Sequence, residues 1–548
     1  MPYSLSKPIH LFLSALLFVF SFLFLGLTGL PAAVTMPSIF GDHMVLQQGV
    51  KLPVWGWAAA GENVIVQLGK VAASTVTAED GSWKVNLPPV SATIARSPQT
   101  LTVTGSNTLT FQDVLVGDVW IASGQSNMEF GIGNDTRGAA AIASANEPQI
   151  RLFLVPDKIA LEPQKDLRPG GAWKVCSPET LKGNGQYGWI GFSAAGYYFA
   201  REIHQKTGQP VGMIGAYLGG SAAQVWTSLS GLKKAPDLAH FVQEREAVRA
   251  NYAQAQADLP KKMDAYLAAM EDWKSAAAKA AAAGQPEPPK PPGPASPEGG
   301  AGCPGNLFNA MIAPLVPYAI KGVIWYQGEG NTNNAKEYAT LFPLLISDWR
   351  THWQQGDFPF IFVQLANFTS PQKSPSEEGW ATLREAQLQT LSLPNTGMAV
   401  AIDIGNPADI HPRDKFDVGH RLALVARHLA YGEALVDSGP IYKSMTIEGH
   451  HIRLLFNHVG AGLTMGVPPW MPDGSTPPVP KELAGFAIAG SDQKWVWGKA
   501  VIEGGSVVVS SDQLSSPVAV RYDWANCPAG NLYNKDGLPA SPFRTDKW

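Results

Sequence analysis

The chain has 548 residues, room for three or four domains at about 150 residues each, and its 41 Lys plus Arg against 45 Asp plus Glu leave a formal net charge of −4. That balance excludes a general nucleic-acid binder, whose phosphate contacts need a basic surface. Charged residues are only 16% of the chain, Gly (55) and Pro (44) are abundant, and 45% is apolar; global disorder, a collagen and a polytopic membrane protein are excluded, and turn-rich β structure joined to something larger is indicated.

Residues 1–33 read as a secretory signal peptide. Lys7 and His10 precede an apolar run from Leu11 to Leu30, and Pro31, Ala32 and Ala33 follow. A basic lead, an apolar stretch and small residues describe such a signal. Cleavage near Ala33 would leave a soluble chain, secreted or periplasmic; an uncleaved anchor is the alternative, since the run nearly spans a bilayer. The three cysteines, Cys176, Cys303 and Cys527, are too far apart for a zinc or CxxC spacing and odd in number, so buried thiols are expected rather than a disulfide framework.

Residues 36–113 read as an N-terminal β-sandwich domain. Short apolar or alternating runs (Lys51 to Trp57, Asn63 to Leu68, Trp83 to Leu87, Thr100 to Val103) are punctuated by Gly41-Asp42, Gly61-Glu62 and Asp80-Gly81, the pattern of strands and turns. Residues 114–431 change character. Apolar strands are expected at Val114 to Ile121 (broken by Gly117-Asp118), Val211 to Ala216, Gly322 to Tyr326, Phe358 to Leu365 and Gly397 to Ile404. Helices are expected at Ser193 to Ile203, Tyr338 to Trp353 and Trp380 to Leu391. Such alternation implies an α/β unit with a parallel sheet covered on both faces. Its ligand site would lie at the carboxyl ends of the strands. An insertion at 234–302 interrupts it: an Ala-, Glu-, Lys- and Gln-rich helical hairpin or arm, then a Pro- and Gly-rich linker from Gln285 to Gly302. Residues 432–548 return to short strands and turns, a C-terminal β-rich domain.

Four short polar motifs each follow an expected strand of the sheet. Gly124-Gln125-Ser126-Asn127-Met128 places a serine at a strand-to-loop break, without the second glycine of an α/β-hydrolase elbow. Asp409-Ile410-His411-Pro412 offers a base and a carboxylate to orient it. Gly219-Gly220-Ser221 and Trp325-Tyr326-Gln327-Gly328-Glu329-Gly330-Asn331 combine glycines, whose backbone N–H groups can approach a ligand, with a donor amide, the ingredients of an oxyanion hole. Each alone is an ordinary loop; together they converge on one sheet edge.

These motifs resemble the sialate O-acetylesterase family of SGNH-type hydrolases. The likeness runs from Met44-Val45-Leu46-Gln47 and Pro53-Val54-Trp55-Gly56-Trp57 through Gly117-Asp118-Val119-Trp120, Gly124 to Met128, Asn309 to Leu315, Trp325 to Glu329 and Asp409 to Pro412, to Val520-Arg521-Tyr522 and Gly537 to Arg544. It implies an SGNH, flavodoxin-like three-layer core with β-rich accessory regions. It also implies Ser126 as nucleophile and His411 as base, with Asp409 as the chosen orienting acid. Gly219, Gly220 and Asn331 would supply oxyanion donors beside the Ser126 N–H, with Gln125, Asn127, Gln327 and Glu329 as supports. Three positions depart from the family pattern. Ala408 stands where the acid is frequent, which leaves Asp403 or a backbone carbonyl as alternatives to Asp409; Gly330 replaces a usual Ser, and Gln224 a frequent Glu.

The chemistry implied is hydrolysis of O-acetyl esters on sugars without metal or cofactor. O-acetylated sialic acid is the first substrate, its carboxylate met by Arg384 or Arg413. Acetylated xylan is the rival, and a non-catalytic carbohydrate-binding protein is the alternative from another class. The expected partner is an acetylated carbohydrate, with no nucleic acid and no membrane after signal removal; oligomeric state is not legible.

Overall fold

The computed structural model describes residues 33–90, 97–183, 185–375, 379–477 and 479–548. Apart from Ala33, the expected signal segment lies outside them. The described chain begins with β1 (Val45–Gln47), β2 (Leu52–Trp57), β3 (Asn63–Leu68), β4 (Val71–Val76), β5 (Ser82–Leu87) and β6 (Gln99–Thr104). Their side chains alternate inward and outward, as strands with one wet face require: Val64, Val66 and Leu68 of β3 are buried while Asn63, Ile65 and Gln67 are exposed. β2 pairs with β5, and β3 lies between β4 and β6, all antiparallel.

The spine is β7 (Thr108–Gly124), 17 residues long. Its first half pairs antiparallel with β6. Its second half is wholly buried and enters a sheet ordered β13-β12-β11-β7-β10-β8-β9, with β8 (Glu147–Leu154), β9 (Trp173–Cys176), β10 (Val211–Tyr217), β11 (Gly322–Tyr326), β12 (Phe360–Gln364) and β13 (Thr396–Val400). All neighbours are parallel except β8 and β9. The break expected at Gly117-Asp118 does not occur. Glycine is required at 117 because a Cβ would collide with Pro210. The buried Asp118 carboxylate is satisfied by the side chains of Gln47, Gln48 and Tyr431, which offsets its desolvation.

Helices cover both faces. Trp120 on β7 meets Phe199 of α2 (Ala194–Thr207) edge-on at 5.0 Å, and α2 packs against α6 (Lys415–Leu429). Trp325 on β11 packs against Phe342 and Trp349 of α4 (Ala335–Trp353). Trp120 pairs with Gly322 and Ser123 with Trp325, so the two indoles point to opposite faces. α5 (Gly379–Gln389) packs on α4.

Of the expected hairpin or arm, the insertion takes the form of an arm. It is one continuous helix, α3 (Ala239–Ala282), 44 residues long with Pro260 inside. The return is made by the Pro-rich segment, which lacks the N–H groups a second helix would need. Trp273 Nε1 donates to the Pro288 carbonyl at 2.8 Å, and Lys290 Nζ lies 5.8 Å above the same indole. At the base of α3 the buried Arg245 donates to Pro304 O at 2.9 Å.

Beyond 432 the strands form antiparallel sheets around a second apolar core that includes Ile452, Phe486, Ile488, Val507, Val520 and Phe543. All three cysteines are buried and none is in a disulfide among the described residues. Among the described residues, no helix is long and apolar enough to cross a membrane.

Candidate active site

Gly124, Tyr217 and Tyr326 end β7, β10 and β11 in register. The loops that follow therefore leave the sheet side by side. Gly124 has φ +135°, and a side chain there would strike the Tyr326 carbonyl; only glycine lets the chain turn tightly into α1 (Ser126–Glu129). Ser126 is the first residue of that turn.

His411 Nε2 lies 2.9 Å from Ser126 Oγ. Its Nδ1 lies 3.5 Å from Asp409 Oδ1, and its backbone N–H donates to the same oxygen at 2.9 Å. With Nδ1 facing a carboxylate, the neutral ring carries its proton there and offers Nε2 as acceptor to the serine. Burial pushes the His411 pKa below its ordinary value, the Lys415 charge adds to this, and Asp409 opposes it. The Trp189 ring meets His411 edge-on at 5.3 Å and leans on Phe130 at 4.8 Å.

Beneath this pair is a buried polar network. Asn127 Nδ2 donates to Glu329 Oε1 at 2.5 Å and to the Ile410 carbonyl at 3.0 Å. Lys415 Nζ donates to Asn127 Oδ1 and to the Pro412 carbonyl, both at 2.7 Å. Gln125 Oε1 accepts the Gly328 and Gly330 N–H groups at 3.3 and 3.0 Å. Gln327 is clamped by Tyr338 Oη, which donates to its Oε1 at 2.9 Å.

The oxyanion candidates divide. Gly219 is adjacent to the serine: a Cβ built there would lie 3.5 Å from Ser126 Cβ. Its backbone N–H faces the Glu129 carboxyl, which burial and the charge of Asp157 push up to about 7. Asn331 is wholly buried and has both amide protons committed, to Gln224 Oε1 at 3.1 Å and Asn334 Oδ1 at 3.2 Å. Its own oxygen accepts from the Ala223 N–H and from Gln327 Nε2. Asn331 thus braces the 219–224 loop instead of presenting a free donor.

Two further candidates lie elsewhere. Arg384 is fully buried and donates to the carbonyls of Leu365, Ala366, Ala525 and Asn526, which joins the sheet to the C-terminal region. A guanidinium spent on main-chain carbonyls is not a substrate contact. Asp403, the alternative acid, grips Arg421 with both oxygens at 2.6 and 2.8 Å and accepts from Tyr533 at 2.9 Å. Arg413 remains exposed, two residues beyond His411, its Nε donating to Asn134 O at 3.0 Å. Lys415, Glu129 and Trp189 were not foreseen. Glu129 had a signal, since i and i+3 share a helix face; Lys415 and Trp189 had none. Among the described residues no group of three or more His, Cys, Asp or Glu is placed to hold a metal ion.

Residues 303–427 match the family model of a carbohydrate esterase, sialic acid-specific acetylesterase. The chain is 31% identical to the sialate O-acetylesterase of Homo sapiens, over 92% of this chain and 91% of that protein. It is 30% identical to the one from Rattus norvegicus, over 92% and 93%. The crystal structure of a carbohydrate acetylesterase from Xanthomonas citri superposes with a TM-score of 0.75 and 37% identity, over 94% of this chain and all of that one. A serine and an imidazole in contact at the carboxyl edge of a parallel sheet, and relatives aligned along nearly the full length, lead to one conclusion: the chain belongs to the sialate O-acetylesterase family.

Proposed function

We propose that the chain is an exported serine esterase that hydrolyses O-acetyl esters on sugars, O-acetylated sialic acids first among them. The observation that carries this is the 2.9 Å contact between His411 Nε2 and Ser126 Oγ. In this reading residues 114–431 are an SGNH-type, flavodoxin-like three-layer catalytic domain with the 234–302 insertion. Residues 36–113 are a β-sandwich, 432–548 a β-rich accessory domain, and 1–33 a signal that is removed.

His411 takes the Ser126 proton on Nε2 as Oγ bonds to the acetyl carbonyl carbon. The carbonyl oxygen gains the displaced electron pair and is held by the Ser126 N–H and by N–H groups of the Gly219-Gly220 turn. One such donor is typically worth about 3 kcal/mol. The tetrahedral intermediate collapses, the ester bond to the sugar breaks, and His411 returns the proton to the departing hydroxyl. Water, deprotonated by the same imidazole, then releases acetate and restores Ser126. Asp409 orients the ring from half-exposed surroundings, its side chain 50% accessible.

A second reading, an acetylated neutral polysaccharide such as xylan, is favoured by the charge around the serine. Arg384 is committed to carbonyls, and Glu129, half ionised near pH 7, stands beside Gly219 with Asp157 acting on it, acids whose ionised forms would repel a substrate carboxylate. Arg413 supports the sialate reading. The test is acetate release from O-acetylated sialic acid and from acetylated xylan by the protein and its Ser126→Ala variant. Release from sialic acid that the variant lacks is expected. Release from xylan alone transfers the assignment to the second reading, and equal release by protein and variant eliminates Ser126.

A further inference from the structure

Lys415 is the first residue of α6, and it is fully buried. Lysine is almost never buried unless it is paired, so this position needs a reason. Its ammonium stands 4.7 Å from the Phe130 ring centroid and 5.3 Å from that of Tyr326, where aromatic faces attract a cation. Its two hydrogen bonds go to Asn127, the residue after the nucleophile, and to the carbonyl of Pro412, the residue after the base. Asn127 in turn holds the carbonyl of Ile410, the residue before the base. Both main-chain carbonyls flanking His411 are therefore gripped, one by Lys415 and one by Asn127. Glu329 closes the network from just past the end of β11 with Oε1 on Asn127.

We propose that Lys415 is a positioning residue for the esterase reaction: its ammonium, acting with Asn127, fastens the loop that carries His411 to the turn that carries Ser126. The inference rests on the serine-esterase reading given above. Residues 285 positions apart in the chain meet at 2.9 Å, and their loops approach from different strands. A displacement of about 1 Å at such a contact costs on the order of a hundredfold in rate.

Below about pH 7 the same group acts on His411 through charge. The titratable groups facing His411 are Lys415 and Asp409; burial pushes Lys415 down to about 7 against the charges of Glu329, Asp135, Asp414 and Asp409. Asp135 also accepts the Lys415 backbone N–H at 2.8 Å. Across the acid limb Lys415 is therefore an ammonium, and a positive charge beneath the imidazole opposes its protonation.

The experiment is steady-state hydrolysis of a chromogenic acetate ester across pH by the full chain and by Ser126→Ala, Lys415→Met, Lys415→Gln and Lys415→Arg variants, each checked by thermal melting. Lys415→Met should lower kcat on the order of a hundredfold, with KM changed by less than about threefold, the split expected when ground-state binding is untouched. Its acid limb in kcat/KM should move to higher pH, because the charge that disfavours the imidazolium is gone. Lys415→Gln, which keeps a donor for Pro412, should recover part of kcat but share the moved limb. Lys415→Arg should keep the limb in place. Wild-type kcat with an unmoved limb in Lys415→Met overturns the inference. Failure of both neutral variants to fold also overturns it, since it assigns Lys415 to folding alone. Equal rates for the wild type and Ser126→Ala overturn the underlying esterase reading instead, a result distinct from any Lys415 outcome.

Discussion

Asp403 and Asp409 are both near enough in sequence to serve His411, and substitution should separate them sharply. The Asp403 side chain is 2% accessible and bonds Arg421, itself 6% accessible, at 2.6 and 2.8 Å. Asp403→Asn leaves that guanidinium with the Val400 carbonyl and a neutral amide. Removing one partner of a buried pair costs about 3–5 kcal/mol. Asp409 is 50% accessible and 3.5 Å from the ring; an exposed pair of this kind is worth about 0.2–1 kcal/mol, a factor of roughly 1.5 to 5 in rate. Urea unfolding and ester hydrolysis at low temperature would be measured on both Asn variants. Asp403→Asn should unfold at a much lower urea midpoint yet turn over at nearly the wild-type rate while folded. Asp409→Asn should keep its midpoint and lose only severalfold in kcat. The reasoning is refuted if Asp403→Asn is inactive with an unchanged midpoint, or if Asp409→Asn loses three or more orders of magnitude, the loss expected of a buried triad acid.

Three further outcomes follow from the same geometry. Burial holds the His411 pKa below its ordinary 6.5, so the acid limb of kcat/KM should be centred below pH 6.5, and a limb centred above 6.5 would contradict the burial argument. Burial raises Asp523 from 3.8 to about 7. The fold thus keeps a proton that the unfolded chain has lost: this stabilisation is complete below about pH 4 and vanishes as pH rises to about 7. The difference is worth at most about 4 kcal/mol, so Asp523→Asn should raise the melting temperature at pH 8 and leave it nearly unchanged at pH 4. Arg384→Ala strips donors from four main-chain carbonyls, at about 1–3 kcal/mol for each one left dry; melting should fall by many degrees while KM for O-acetylated sialic acid, measured well below the transition, stays put.

What was legible in the sequence follows from range. The period-two alternation of β3 and the apolar runs of β10, β11 and β12 report local burial, and the structure places strands there. Ser126 and His411 were visible because each follows a strand of one sheet, and parallel strands deliver their loops to one edge. The long strand β7 was read as broken because Gly117 and Asp118 are turn residues locally; Pro210, Gln47, Gln48 and Tyr431, which make them acceptable in a strand, lie far away in sequence. For the α3 insertion the sequence leaves a hairpin and an arm both open, because helical composition does not reveal where a chain turns back. Arg384 looked like an anion partner because a guanidinium carries no mark of whether carbonyls or solvent will surround it. Asn331 was placed near the right loop, but its bonds to Gln224 and Asn334 depend on how two loops interlock.

The unbroken run of β7 has a practical consequence for dissecting the molecule. The same strand that zips to β6 at Thr108 delivers Ser126, the proposed nucleophile, just past Gly124. A fragment trimmed to start at residue 114 would begin partway along a ladder and forfeit the flanking strand that seats it. By contrast, the 234–302 arm leaves and rejoins the body around Arg245, Pro304 and Asn306, so shortening its far end severs no sheet. The front of the molecule and its reaction centre would stand or fall as one piece under truncation, whereas the arm is the part that can be pruned.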